Sequence, residues 1–373
     1  MTSPRVEIDL GKIQANARYL VRRLAARGIS VTGVTKAVSG HPDIAVAMLD
    51  GGVAGLADAR IKNVVRMRTE GITCPISMIR APMLTETEDV IQYCDGSYNT
   101  EMDTILKVGA AAKLQSTSHD VILMVEMGDM REGILPENLT DFATRVTATP
   151  GVALRGVAAN FACLGNLAPT AGDMAALSRL ATRVEGACGP FLELVSGGGS
   201  ANLPWVLGEG STGRINNLRL GEAILLGTDP VTGHPISRLH NDAFALFAEV
   251  VETRDKPSSI PPVSIAPKRG MLKLVRCDDL RARTVLAVGQ QDTDTSGLTF
   301  PSGIMLIGAT SDHTVVDTTK SVVSVGSEMK MGMNYSALMR AMSAPDVVKI
   351  VHGKQKMNGS AKNCETQPYL TLV

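Results

Sequence analysis

The chain has few aromatic residues: one Trp, five Tyr and six Phe among 373. Base-stacking platforms need more than that, so single-stranded nucleic acid is a poor candidate partner. Charge of one sign is missing as well. Lys and Arg number 37, Asp and Glu number 37, and the net charge is zero. A broad electrostatic grip on a polyanion or an acidic membrane face is excluded. The longest apolar runs, such as residues 121–125, fall far short of the roughly 20 residues that span a bilayer. No apolar segment follows a basic head at the start, so no leader is expected. The six cysteines (Cys74, Cys94, Cys163, Cys188, Cys277 and Cys364) are scattered without C-x-x-C spacing. Neither a zinc site nor a disulfide framework is indicated, and a reduced, cytoplasmic setting follows.

What is abundant is glycine, 36 residues, in a chain long enough for two domains. Through residue 225, short strand-like segments alternate with helical ones. The strand segments are 29–36 (ISVTGVTK), 53–57, 75–79, 96–99, 121–127, 154–160, 192–197 and 217–223. Alternation of this kind builds right-handed βαβ units on a parallel sheet. Eight units at a spacing of about 25 residues favour a closed (β/α)8 barrel. A dinucleotide fold would want G-x-G-x-x-G after the first strand, and KAVSG stands there instead. The pattern changes near residue 240. Segments 246–251, 263–265, 283–288, 303–307 and 314–316 are β-rich and separated by Pro, Gly and Asp. The expected organisation is α/β: a barrel over 11–238, then a mostly β domain over 239–373 that the opening strand 1–10 joins. The polar tail from His352 is expected to be poorly ordered.

Barrel chemistry gathers at the C-terminal ends of the strands. Reading those ends yields Lys36, the loop with Arg131, Asn160, the SGGGS turn from Ser196 to Ser200, and Arg219 with Gly221. The three glycines expose backbone N–H groups, and a helix start follows, which suits a phosphate. Lysines that end strands are commonly solvated. This one follows an apolar strand into the barrel mouth, where desolvation would make its amine a nucleophile. A Lys facing a phosphate cradle points to pyridoxal 5'-phosphate, an electron sink for an α-carbanion. Arg219 or Arg131 could meet the ring; an always-charged Arg at the pyridine nitrogen would hinder its protonation.

These segments resemble the fold-type III pyridoxal-phosphate enzymes of the alanine racemase superfamily, closest to the ornithine racemase branch. The resemblance runs through VEIDLGKIQAN, VTKAVSGHP, LADARIKNVVRMR, MGDMREGI, VSGGGSANLP, NNLRLGEAILLG, GATSDHTVVD and NYSALMRAM. It implies a barrel with a mostly β C-terminal domain and a homodimer with shared active sites. It further implies Lys36 as Schiff-base lysine and one racemisation base, and Arg131 at the phenolic oxygen. Asn160 stands where a His is common near the ring. Ser200 with Ser196, Gly199 and Gly221 forms the phosphate region, and Arg219 meets the pyridine nitrogen.

One position departs from the family. A Tyr that acts as the opposite-face base in alanine racemases sits in a V-G-Y-x-D segment, and here that segment reads VGQQD. Gln290 cannot take a proton, and a racemase needs an acid/base group on each face of the carbanion. His313 and Asp292 are the candidates. Gln290, Ser311 and Asp312 become candidate substrate contacts, while Asp292 or Asp294 could alternatively hold a cationic side chain. The expected function is racemisation of a free amino acid, ornithine or another basic one, without a metal. Racemisation of alanine or serine, and fold-type III lyase chemistry, remain alternatives. A decarboxylase would carry a Cys-Asp pair, and Cys277-Asp278 lies outside the expected motif. A carrier without catalysis would lack the second domain.

Overall fold

The computed structural model describes residues 4–164, 168–189, 191–257 and 280–353. The chain divides into two compact units. One runs from Asp9 to Ala243; the other combines the residues up to Ile8 with Phe244–Val351.

The first unit is a closed parallel barrel of eight strands: β2 (Ser30–Val34), β3 (Gly55–Asp58), β4 (Ile76–Met78), β5 (Gly96–Asn99), β6 (His119–Val125), β7 (Val152–Ala159), β8 (Leu194–Ser196) and β9 (Asn217–Leu220). Their near-continuous burial, complete in β3, β5 and β9, is what strands covered on both faces require. Tyr98, Ile122, Met124 and Ala158 form the inner core. The outer helices are α1 (Leu10–Ala25), α2 (Pro42–Asp50), α3 (Ile61–Thr69), α4 (Thr87–Tyr93), α5 (Met102–Leu114), α6 (Leu139–Thr147), α7 (Ala171–Cys188), α8 (Leu203–Val206) and α9 (Glu222–Leu226). In α1, Ile13, Ala17, Leu20 and Leu24 are buried at helical spacing, and Asp9 caps the start by accepting from the Lys12 N–H at 3.1 Å.

The second unit is an eight-stranded, mostly antiparallel sheet. Its strands are β1 (Arg5–Asp9), β10 (Phe244–Pro257), β11 (Leu280–Leu286), β12 (Leu298–Thr299), β13 (Met305–Ala309), β14 (Thr314–Asp317), β15 (Glu328–Met333) and β16 (Val348–His352), with the helix α10 (Tyr335–Ser343). The sheet order is β12-β15-β10-β11-β14-β13, and β1 pairs with β10 and β16. The opening strand β1 thus pairs within the C-terminal sheet. Buried Arg5 pairs with Glu7 and Glu328 and lies over the Phe247 ring at 4.4 Å. Tyr335 opens α10 behind its N-cap Asn334. The expected segment 263–265, Cys277-Asp278 and the tail beyond Gly353 lie outside the described residues, while His352 closes β16. Among the described residues no helix is long and apolar enough to cross a membrane.

Among the strand ends that differ from expectation, the eighth barrel strand stops at Leu220, not at residue 223, because α9 begins at Glu222, and two others have a local cause. The first barrel strand stops at Val34, and Lys36 opens a short 3-10 turn, because Ser39 and Gly40 take left-handed backbone angles that fold the chain back. The fifth stops at Val125, because the Glu126 carboxylate collects the N–H groups of Gly128, Met130 and Arg131 into a turn.

Asn16 fastens α1 to the end of the barrel. Its buried amide donates to the carbonyls of Ile224 (3.0 Å) and His240 (2.8 Å) and accepts from the His240 N–H at 2.7 Å. Asn16→Leu keeps the volume but strands three backbone groups. We expect a loss of about 3 kcal/mol, read as a lower urea midpoint with an unchanged slope. An unchanged midpoint would refute the assignment.

Candidate functional site

The barrel closes by pairing β2 with β9, so Thr32 lies opposite Arg219 and Gly33 opposite Leu220. This register brings the turn of Lys36 beside Gly221, whose Cβ position is only 3.2 Å from the Val34 side chain. Lys36 is open to solvent at the barrel mouth, yet burial lowers its pKa. Cys163 and Asp58 oppose that shift, whereas the charges of Arg131 and Arg219 reinforce it. The amine is therefore more readily neutral, and more nucleophilic, than an ordinary lysine.

The Lys36 turn is clamped from below. Asp58, fully buried at the end of β3, accepts from the Thr35 hydroxyl at 2.7 Å, the Asn63 amide at 2.9 Å and the Arg60 N–H at 2.9 Å. Burial raises its pKa, and these donors pull it back. Arg66 donates to the Ser39 carbonyl at 2.9 Å, and a Cβ at Gly40 would lie 2.7 Å from Asn63. Both contacts hold the turn against α3.

Arg219 is buried and fixed on three sides. Nη1 donates to Ser196 Oγ at 2.6 Å; Nη2 donates to the Ala159 carbonyl at 2.8 Å and to Asn160 Oδ1 at 2.7 Å. Its guanidinium lies over the Tyr98 ring, 5.0 Å from the centroid. Ser196 and Asn160 thus orient Arg219, and these three bonds use three of its five N–H donors. Asn217 Oδ1 accepts from Ser196 Oγ at 2.7 Å, while its amide donates to Ser30 Oγ and Thr32 Oγ1 across the barrel seam.

The SGGGS turn forms the neighbouring concavity. Gly198 has φ +110, and a Cβ there would meet Asn202 Oδ1 at 2.7 Å, so a side chain is excluded. Ser200 Oγ accepts from the Ala223 N–H at 3.2 Å, which frees its own proton for a ligand. Asn202 Oδ1 is buried without a partner. The expected helix over 201–207 is a 3-10 turn, Ser200–Asn202, followed by α8, with Pro204 in its first turn.

Arg131 lies across the mouth. It donates to Asp129 at 3.1 Å and to Glu132 at 3.3 Å, and its Nη2 reaches Cys163 Sγ at 3.6 Å. Burial raises the Cys163 pKa against the pull of Arg131. Lys36, Arg131, Asn160, Ser196, Gly199, Ser200, Arg219 and Gly221 therefore all stand at the C-terminal ends of barrel strands or in the loops that follow them.

The remaining expected residues share one corner of the β unit. The turn carrying Gln290 and Asp292 packs on the turn of Ser311, Asp312 and His313. Gln290 and Gln291 N–H groups donate to the Thr310 and Ser311 carbonyls at 2.9 and 3.0 Å, and a Cβ at Gly289 would overlap Ser311. Asp292 accepts from the Gly289 N–H at 2.9 Å; Asp312 accepts from Gln291 and Ser311. His313 is exposed. Asp294 is occupied by Ser296 and Ser336, which argues against a cation-binding role. Among the described residues no three His, Cys, Asp or Glu side chains gather into a metal-binding group.

Asp58, Tyr98, Cys163 and Glu222 were missed in sequence. Asp58 and Tyr98 lie at strand ends and obey the rule that found Lys36. Cys163 and Glu222 carried no local signal.

Residues 8–229 match the alanine racemase N-terminal domain family. The chain is 34% identical over 358 residues to lysine racemase of Thermotoga maritima, covering 94% of this chain and 99% of that protein. It is 32% identical over 352 residues to ornithine racemase of Acetoanaerobium sticklandii, covering 93% and 99%. Among solved structures, alanine racemase from Streptomyces coelicolor aligns with a TM-score of 0.74 at 17% identity, covering 94% of this chain and 98% of that one. The D-threonine aldolase from Filomicrobium marinum aligns at 0.72 and 15%, covering 94% and 91%, so the fold alone does not choose a reaction. The chain belongs to the alanine racemase family.

Glu222, next to Gly221, offers a pH test. Burial and, more weakly, the charge of Asp229 raise its pKa to about 7 from 4.5, against a 3.4 Å hydrogen bond from Thr228. The folded state holds this proton more tightly than the unfolded state. Its contribution is complete below pH 4.5 and is lost as pH rises through 7. The stability of wild type relative to Glu222→Gln should therefore fall between those values in urea titrations. A difference that is flat or rises with pH would contradict it.

Proposed function

We propose that this protein racemises a basic amino acid, lysine or ornithine, with pyridoxal 5'-phosphate as cofactor. The observation that carries the reading is the turn of Lys36, its amine pKa lowered, standing beside Gly221 and the Ser200 cradle at one barrel mouth. The full-length similarity to lysine and ornithine racemases supports the substrate class.

The residues fit the cofactor. Gly198 leaves room that a side chain would fill, Ser200 has a hydroxyl proton to give, and Asn202 has a buried unpaired oxygen. Lys36 would carry the cofactor, and Gly199, Ser200 and Gly221 would hold its phosphate. Arg131 would meet the phenolic oxygen. Arg219, locked by Ser196 and Asn160, would face the pyridine nitrogen with a fixed positive charge. When bound, the cofactor supplies the electron sink that stabilises a carbanion at the substrate Cα.

Lys36 Nζ moves the α-proton on one face, a task its lowered pKa suits. For the opposite face we assign His313, supplied by a second subunit. Its ring is exposed, and an imidazole can both accept and donate a proton, whereas the Asp292 carboxylate is engaged by its own turn. A homodimer with shared sites is supported by exposed Met83, Leu84, Met130, Leu135 and Leu164 in loops that follow barrel strands, an apolar rim that calls for cover. Cytoplasmic residence fits the four unlinked thiols of Cys74, Cys94, Cys163 and Cys188.

The test is α-proton exchange in heavy water with each enantiomer of lysine and ornithine. Cofactor-loaded wild type should exchange both enantiomers. Lys36→Ala should lower exchange by about 10³-fold. His313→Ala should suppress exchange from one enantiomer far more than from the other. Absence of exchange in the wild type with every basic amino acid would overturn the reading.

A further inference from the structure

Several carboxylates stand in the loops that follow the barrel strands, and most are committed to the protein itself. Asp58 has accepted donors from Thr35, Arg60 and Asn63. Asp129 holds the N–H groups of Cys163 and Leu164 at 2.7 and 3.3 Å, plus Arg131. Glu126 holds three N–H groups of its own turn. Glu86 pairs with Arg80 at 2.8 Å. Glu222 meets Thr228 and the charge of Asp229 rather than the group around Lys36.

Glu132 differs. Its Oε2 pairs with Arg131 Nε at 3.3 Å, and its Oε1 has one contact, a long 3.5 Å hydrogen bond from the Asn160 amide. Both partners belong to the proposed site: Asn160 holds Arg219, and the charge of Arg131 reaches Lys36. The Glu132 side chain is partly exposed. It is thus an underused acceptor inside the mouth, not a buried structural anion. It lies in the loop after β6, while Lys36 follows β2, four strands round the eight-stranded barrel. The loops that carry the two therefore lie on opposite sides of the barrel mouth. A substrate whose Cα stands at Lys36 extends its side chain into that space. A neutral side chain gains nothing from a carboxylate there, whereas a terminal ammonium exchanges hydration for a charge-assisted hydrogen bond.

We infer that Glu132 determines substrate specificity by accepting, through Oε1, the side-chain ammonium of a diamino acid. This inference rests on the proposed racemisation of a basic amino acid. Leu, Gln or Ala at this position would remove that negative charge from the mouth.

The experiment compares cofactor-loaded wild type, Glu132→Gln and Glu132→Asp by kcat/KM for ornithine against norvaline, and lysine against norleucine. The expected result for Glu132→Gln is a drop of about 10- to 100-fold in the ratio of cationic to neutral substrate, carried mainly by KM. Glu132→Asp, which keeps the charge, should recover part of that ratio. If Glu132→Gln lowers both substrates alike, or leaves the ratio within twofold of wild type, the inference is wrong and the residue serves only to place Arg131. A Glu132→Gln protein that fails to load cofactor is replaced by Glu132→Asp, whose ratio must then also fall; an unchanged ratio rejects the inference. Failure of the wild type to exchange either basic amino acid rejects the functional reading itself and is separable from these outcomes.

Discussion

Everything at the barrel mouth depends on the seam between β2 and β9, and one side chain carries that seam into the site. Asn217 donates to Ser30 and Thr32 on the far side of the closure and accepts from Ser196. Ser196 in turn accepts from Arg219, which holds Asn160. A line of hydrogen bonds therefore runs from the first barrel strand through the last to the seventh element of the wall. Each member fixes the next, so the guanidinium is oriented before any ligand arrives. Such preorganisation lowers the reorganisation cost of the chemistry. It is also costly to leave half made, because Asn217, Ser196 and Arg219 at its centre are buried. The pairing joins residues nearly 190 positions apart, so the site exists only once the whole barrel has closed.

The second theme is how positive charge is tolerated at the mouth. Lys36, Arg131 and Arg219 converge there, and each is balanced differently. Asp129 and Glu132 meet Arg131. Arg219 meets only neutral acceptors and an aromatic face. Asp58 sits beneath Lys36 without touching it directly, through Thr35. The result is an uneven field: an amine whose charge is less favoured than an ordinary lysine's, a guanidinium with a counter-charge and one without. A ligand carrying both a phosphate and a carboxylate would find complementary places in such a field.

The barrel was legible in sequence because its strands are short, apolar and regularly spaced, and because turn chemistry marks their ends. The positions of Lys36, Arg131, Asn160, Ser200 and Arg219 followed from the rule that strand ends carry function. What escaped was relational. Asp58 matters only because Thr35 meets it, and Ser196 proves to be a support for Arg219, a role no local pattern announces. In the β unit, β15 alternates buried and exposed residues, but its apolar positions are Met, not the β-branched residues that advertise a strand. The corner formed by Gln290, Asp292, Asp312 and His313 was found through family resemblance. Its actual cause is the side-chain-free Gly289, which lets two turns meet backbone to backbone.

Arg5 has a consequence for synthesis. Of the described strands, the first to be made belongs to the unit whose last strand is made last, since β1 pairs with β10 and β16 and Arg5 pairs with Glu328. More than 230 residues of barrel are made between β1 and its first partner. Throughout that interval the nascent chain carries an unpaired strand edge with a charged residue, Arg5, at its head. Once β10 and β15 are in place, Arg5 is buried and paired with Glu328 across the completed sheet.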